Sequence, residues 1–117
     1  MARSLLIVDD HQDFRTAARA LLEADGFMVV GEAPDGADAV DKANSLRPDI
    51  VLLDVQLPDM DGFAVADELA TLPDPPLVVL VSSRGAAVYR SRLASAPVRG
   101  FIAKSELSGE ALENLVA

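Results

Sequence analysis

Asp9 and Asp10 directly follow the apolar run 5–8, and Asp54 directly follows the apolar run 50–53. A short, wholly apolar segment that stops on a carboxylate reads as a buried parallel strand with an acid at its C-terminal end. In an open α/β sheet, ligands bind at that edge. The chain is therefore expected to gather three carboxylates in one crevice. Like charges a few ångströms apart raise one another's pKa, so such a triad is strained until a cation neutralises it. Hard carboxylate oxygens suit Mg²⁺, which prefers an octahedron and keeps several waters. A divalent ion beside a carboxylate suits phosphoryl transfer, because it offsets the charge of the incoming oxygens. A carboxylate can itself be the nucleophile and form an acyl phosphate. Ser82, after the run 77–81 and with Ser83 beside it as the alternative, adds a hydroxyl donor, and Lys104, after the run 101–103, adds a point charge suited to a phosphoryl oxygen.

Five apolar runs, 5–8, 27–30, 50–53, 77–81 and 101–103, must place these residues, and segments of helical spacing lie between them. Residues 13–24 carry Phe14, Ala17, Ala18, Leu21 and Leu22 as an i, i+3, i+4, i+7 stripe, with Gly26 as the stop. Asp35-Gly36 opens a second helix bearing Ala39, Val40 and Ala43, which Arg47-Pro48 ends. Asp61-Gly62 opens a third with Phe63, Val65, Ala66 and Leu69, broken by the proline cluster 73–76. Residues 85–94 give a weaker fourth helix and 107–116 a short fifth. The pattern is α/β, alternating as (βα)₅. It implies a parallel sheet covered on both faces through right-handed crossovers.

A chain of 117 residues, half hydrophobic and a quarter charged, is expected to form one domain, 1–117. The absence of Cys excludes a disulfide framework, a thiol nucleophile and a thiolate-bound metal. Nineteen acidic against ten basic residues give a net charge of −9, which disfavours direct nucleic-acid binding. The first apolar run is too short for a signal peptide or a membrane span. No membrane association and a cytoplasmic location are the expectations.

The set Asp9-Asp10, Asp54, Ser82 and Lys104, together with the stretch Arg47-Pro48-Asp49-Ile50-Val51-Leu52-Leu53-Asp54-Val55-Gln56-Leu57-Pro58-Asp59-Met60-Asp61-Gly62, resembles the receiver domain of two-component response regulators. The resemblance implies a flavodoxin-like sheet of order 2-1-3-4-5. It makes Asp54 the phosphoacceptor, fed by a phosphohistidine on a sensor histidine kinase or phosphotransfer protein, or by acetyl phosphate. It implies Mg²⁺ held by Asp10, Asp54 and the backbone carbonyl of Gln56, with Asp9 acting largely through water. Lys104 would pair with the phosphoryl group, Ser82 would turn to hydrogen-bond it, and Phe101 would follow by changing rotamer. The face of the fourth helix, fifth strand and fifth helix would be the output, with homodimerisation one possible result. Asp9 to Arg15 and Lys104-Ser105-Glu106-Leu107 are similar to receivers that precede a LuxR/NarL-type helix-turn-helix domain, which points to transcription regulation. Three stretches depart from the pattern. Phe101 stands where the family often has Tyr, Ser105 where Pro commonly follows the lysine, and Ser95-Ala96-Pro97-Val98 where a small-residue run is usual.

Plainer readings stand beside these. Asp10 or Asp13 could simply cap the first helix. His11 reads as a residue at the rim of the site with no chemistry of its own, Phe101 reads as easily as a plain core residue as a switch, and Met60 reads as packing. Gly62 and Pro58 read as shaping the loop after Asp54. Two rival functions are a receiver-like binding module that is never phosphorylated, and a phosphatase with an aspartyl nucleophile. Asp9-Asp10-His11 lacks the Asp-x-Asp arrangement expected of the latter.

Overall fold

The computed structural model describes residues 2–117. Five strands, β1 (Ser4–Val8), β2 (Met28–Ala33), β3 (Ile50–Asp54), β4 (Leu77–Ser82) and β5 (Gly100–Ala103), form one parallel sheet of order β2-β1-β3-β4-β5. Helices α1 (Gln12–Ala24), α2 (Gly36–Leu46), α3 (Gly62–Ala70), α4 (Arg90–Leu93) and α5 (Gly109–Val116) connect and follow them. The expected fold class and strand order are both present.

Successive strand residues enter opposite cores, because side chains alternate across a sheet. Leu5, Ile7, Ile50, Leu52, Val79, Val81 and Ile102 pack with Ala18 and Leu22 of α1 and Leu112 and Val116 of α5. Leu6, Val8, Val51, Leu53, Val78 and Leu80 pack with α2 and α3. The central strands face helices on both sides and are apolar except for one polar residue at an end, Ser4, Asp54 or Ser82, which is why they read as continuous runs rather than as alternation.

Several boundaries differ from the sequence reading, each for a local reason. The strand expected at 27–30 runs instead through Met28–Ala33, with an irregular register against β1 between Leu5 and Leu6. Its second half, Gly31-Glu32-Ala33, contains a glycine and an acid that hide it from a hydrophobicity pattern. Neither Asp10 nor Asp13 caps α1. The N-cap is His11, without a side-chain cap. The α1 stripe is narrower than expected, since Ala18 and Leu22 are buried while Ala17 and Leu21 are exposed. Gly26 does end the helix, at φ +96°. Asp35 and Asp61 cap α2 and α3 by accepting from the Asp38 and Ala64 amides at 2.8 and 2.9 Å. The fourth helical segment is a 3₁₀ turn, Ala86–Tyr89, continued by only four α-helical residues. The fifth helix begins later than 107, because Ser108 caps it through the Ala111 amide at 3.0 Å.

Gly62 decides how closely α3 approaches the end of β3. A Cβ there would lie 2.3 Å from the Asp54 carbonyl oxygen and 2.9 Å from Val55 Cα, both backbone atoms. Its amide donates to the Val55 carbonyl at 2.6 Å. Gly62→Ala should therefore destabilise the domain by about 1–3 kcal/mol, as overpacking against backbone does. Urea denaturation checks this, and an unchanged midpoint would contradict the close approach.

Candidate functional site

The carboxylates of Asp9, Asp10 and Asp54 meet at the C-terminal edge of the sheet. With His11, they can offer ligand atoms that all lie within 4.8 Å of one another. Strand adjacency brings them together, since β1 and β3 pair directly in register from Leu5↔Ile50 to Val8↔Leu53. Alternation adds a second level of order. Asp9 and Asp54 keep the parity of Ile7 and Leu52, and Lys104 that of Ile102, all on the α1/α5 side. Ser82 keeps the parity of Leu80 and shares with Phe101 the opposite side. The pleat thus separates a charged group of side chains from a second, weakly polar group.

Asp9 is fully buried, Asp54 is 4% exposed, and the Asp10 side chain is 36% exposed. The Lys104 ammonium lies 2.6 Å from Asp9 Oδ2 and 3.4 Å from Asp54 Oδ2, and 4.4 Å above the centre of the Phe14 ring. Asp9 Oδ2 is close to that ammonium but accepts no well-directed hydrogen bond. Its other oxygen accepts from the His11 amide at 2.8 Å, and His11 Nδ1 lies 3.0 Å from both Asp9 Oδ1 and Asp10 Oδ1. The Arg15 guanidinium grips the Asp9 carbonyl at 2.6 Å and Glu32 at 3.1 Å, fixing the strand end against α1 and β2.

These surroundings push the two buried carboxylates apart. Burial and the neighbouring Asp9 charge push Asp54 up to about 6, against the opposing pull of Lys104. Burial acts on Asp9 in the same sense, but the Lys104 ammonium and the His11 amide outweigh it, and Asp9 lies below the ordinary carboxylate value. Lys104 is raised, because its two carboxylate partners outweigh the effect of its own burial. The lysine belongs chiefly to Asp9, and Asp54 is the acid left under tension.

A cleft of about 200 Å³ opens over this cluster, lined by Asp10, His11, Asp54, Gln56, Lys104 and the two serines Ser82 and Ser83 among others. A larger depression of about 600 Å³ lies at the opposite end of the sheet, between Arg3, Arg47, Asp49 and Asp74. It sits at the N-terminal ends of the strands, away from the carboxylates and away from the edge where α/β sheets bind ligands. The smaller cleft carries the chemistry. Gln56 is exposed at its rim, with its amide 3.4 Å from Asp54 Oδ1. Ser82 is buried and Ser83 exposed. Phe101 is half-buried against Tyr89, with ring centres 5.8 Å apart.

The sequence reading missed three residues around the site. Asp59, in the loop after β3, accepts from the Gly36 and Ala37 amides at 2.8 and 2.9 Å and ties that loop to the start of α2. Arg92 pairs with Asp61 at 2.7 Å and lies 4.1 Å above the Phe63 ring, joining α4 to α3. Tyr89 is buried between Phe63 and Phe101, and its hydroxyl lies 3.2 Å from Ser82 Oγ. All three act across elements, so no local pattern marks them. The one available hint was that Tyr89 is the sole tyrosine, in a segment otherwise short of bulky residues.

The raised pKa of Asp54 has a measurable consequence for metal-free protein. The native state binds this proton more tightly than the unfolded chain, whose ordinary value is 3.8. The group's contribution to stability is therefore full below pH 3.8 and lost as pH rises through about 6. Asp54→Asn cannot ionise and escapes that loss. In EDTA at neutral pH the variant should be more stable than the parent by on the order of 1–3 kcal/mol. The gain should fade as pH falls toward 4. Thermal unfolding across this range checks it, and a variant less stable than the parent at neutral pH would contradict the assigned tension.

Residues 5–116 match the family model for the response regulator receiver domain. A Pseudomonas aeruginosa protein named for transcriptional regulation is 39% identical over 108 residues, 92% of this chain and 52% of its own length. The DNA-binding transcriptional activator EvgA of Escherichia coli K12 is 30% identical over 112 residues, 96% of this chain and 53% of its own. The signal receiver domain of NarL from Mycobacterium tuberculosis superposes with a TM-score of 0.81 at 32% identity, covering 97% of this chain and 96% of that one. The chain spans about half the length of the curated relatives it matches. Among the described residues, no helix is long and apolar enough to cross a membrane. Receiver domains of this family are signalling modules of two-component systems that generally interact with histidine kinases. From its fold, its acidic cluster and these matches, the chain belongs to the response regulator receiver domain family.

Proposed function

We propose that the domain is a switch driven by phosphorylation of Asp54. The observation that carries this reading is the buried Asp9–Lys104–Asp54 cluster at the head of a cleft, in which one lysine faces two carboxylates and Asp54 is the less satisfied of them. The residues present fit a hard divalent cation. Three carboxylates converge, and buried Asp9 Oδ2 has no well-directed hydrogen bond. Asp10, Asp54 and the Gln56 carbonyl would hold Mg²⁺, with Asp9 acting through water. When bound, Mg²⁺ offsets the charge of the incoming phosphoryl oxygens.

The chain's own residues supply the remainder. An Asp54 carboxylate oxygen attacks phosphorus, and the bond from phosphorus to the donor histidine nitrogen breaks, leaving an acyl phosphate. The modified group carries about two negative charges where the carboxylate carried one. Lys104 stands 3.4 Å from Asp54 Oδ2, within reach of those charges as a point cation. Ser82 turns toward the new oxygens, and Phe101 follows into the space it leaves. The surface of α4, β5 and α5 then shifts between two existing states. The donor is a sensor histidine kinase, a phosphotransfer protein or acetyl phosphate. The output is control of an effector, transcription regulation through a DNA-binding domain outside this chain, with homodimerisation as one route. The setting is cytoplasmic, and the domain itself touches neither nucleic acid nor membrane. It accepts a phosphoryl group rather than turning over a substrate.

Intact mass after incubation with acetyl phosphate tests this. The parent should gain one phosphoryl group with Mg²⁺ present and lose nearly all of that gain in EDTA, while Asp54→Asn gains none under either condition. Absence of an adduct from both acetyl phosphate and a kinase donor would favour the unphosphorylated binding module.

A further inference from the structure

The cleft side of Ser82 is only half of its environment. Its hydroxyl oxygen accepts from the Arg84 amide at 3.1 Å and shares a hydrogen bond with the Tyr89 hydroxyl at 3.2 Å, with either hydroxyl able to donate. Tyr89 belongs to the core on the α3 side of the sheet, opposite the side whose parity Asp9, Asp54 and Lys104 share. Tyr89 is 7% exposed and sits between two aromatic rings, with centres 5.9 Å away at Phe63 and 5.8 Å away at Phe101. It closes the 3₁₀ turn Ala86–Tyr89, which runs into the four-residue helix α4, and neither has a side-chain cap. Phe101, on β5, offers no hydroxyl of its own.

We propose that Tyr89 is a positioning residue that holds Ser82 turned away from Asp54 and passes the movement of Ser82 to the α4 segment. The proposal rests on Asp54 being phosphorylated. Phosphoryl oxygens only accept, so Ser82 must donate its single proton to them and turn its oxygen toward the cleft. That turn breaks the contact with Tyr89 and leaves a buried hydroxyl without a partner, an unfavourable state. The Tyr89 ring cannot drop out of plane to find water, because Phe63 and Phe101 flank it. Relief comes from moving the ring together with its turn. The turn is short and its residues 86–88 are exposed, so it yields more readily than α2 or α3, whose ends are capped. Phe101 then follows because it packs on Tyr89. The hydroxyl that reports on the site is thus carried by the turn before α4 and not by β5.

Tyr89 is the only tyrosine and the chain has no tryptophan, so tyrosine emission reads this one side chain. The experiment follows mass and emission together in acetyl phosphate and Mg²⁺, for the parent, Tyr89→Phe, Ser82→Ala and the double variant, with mass alone for those lacking the tyrosine. In the parent, emission should change in step with the adduct. Tyr89→Phe keeps the ring and frees Ser82, so it should accept the phosphoryl group about fivefold faster, the size that one net hydrogen bond allows. In the Ser82→Ala background the same change should have no effect, because the partner is gone. An adduct without an emission change, or an equal effect of Tyr89→Phe in both backgrounds, would overturn the relay while leaving phosphorylation intact. Absence of any adduct in the parent would overturn both.

Discussion

One ammonium stands between two buried carboxylates that arise from neighbouring strands, and the rest of the domain makes sense around that arrangement. Asp9 and Asp54 can be this close only if β1 and β3 are adjacent, and Lys104 reaches them only if the end of β5 lies across β4 on the same side of the sheet. The lysine lies 2.6 Å from one acid and 3.4 Å from the other, and a single positive charge is shared between them. Two like charges with one partner leave an excess of negative charge in a place with little water. That excess is the physical reason the cleft suits a cation, and the reason Asp54 is the acid whose chemistry is poised to change.

The alternation of the sheet gives the arrangement its direction. Residues of one parity carry Asp9, Asp54 and Lys104, and residues of the other carry Ser82, Phe101 and, packed beside them, Tyr89. The charged side faces α1 and α5, where Arg15 and Phe14 hold Asp9 and Lys104 in place. The opposite side faces α3 and the short helical segment before β5, a 3₁₀ turn followed by only four α-helical residues. A set of charges held by several contacts on one face and a short helical segment on the other suit a switch. The chemistry must be precise, whereas the responding element must have two arrangements of similar free energy.

Much of this could be read from the residues alone. The carboxylates at 9, 10 and 54 and the lysine at 104 each end an apolar run, and strand ends in an alternating α/β chain converge on one edge. The caps Asp35 and Asp61 were visible because N-cap chemistry is local. Strand order was not visible in periodicity and came from the family resemblance. The second half of β2 was missed because it lies on an outer strand where Gly31 and Glu32 are only half-buried, so it shows no apolar run. Tyr89, Asp59 and Arg92 were missed because each works through a partner distant in sequence or on another element, where pattern carries no information. The positions that bear the charge were thus legible, while those that transmit its effect were not.

The most direct test of the account is to locate the phosphoryl group on the chain. Reduction of the freshly phosphorylated protein with borohydride converts an aspartyl phosphate to homoserine, and peptide mass mapping then identifies the position. Conversion is expected at Asp54, with Asp9 and Asp10 unaltered. Conversion at Asp9 or Asp10, or a stable phosphoryl group on His11 with Asp54 unmodified, would contradict it.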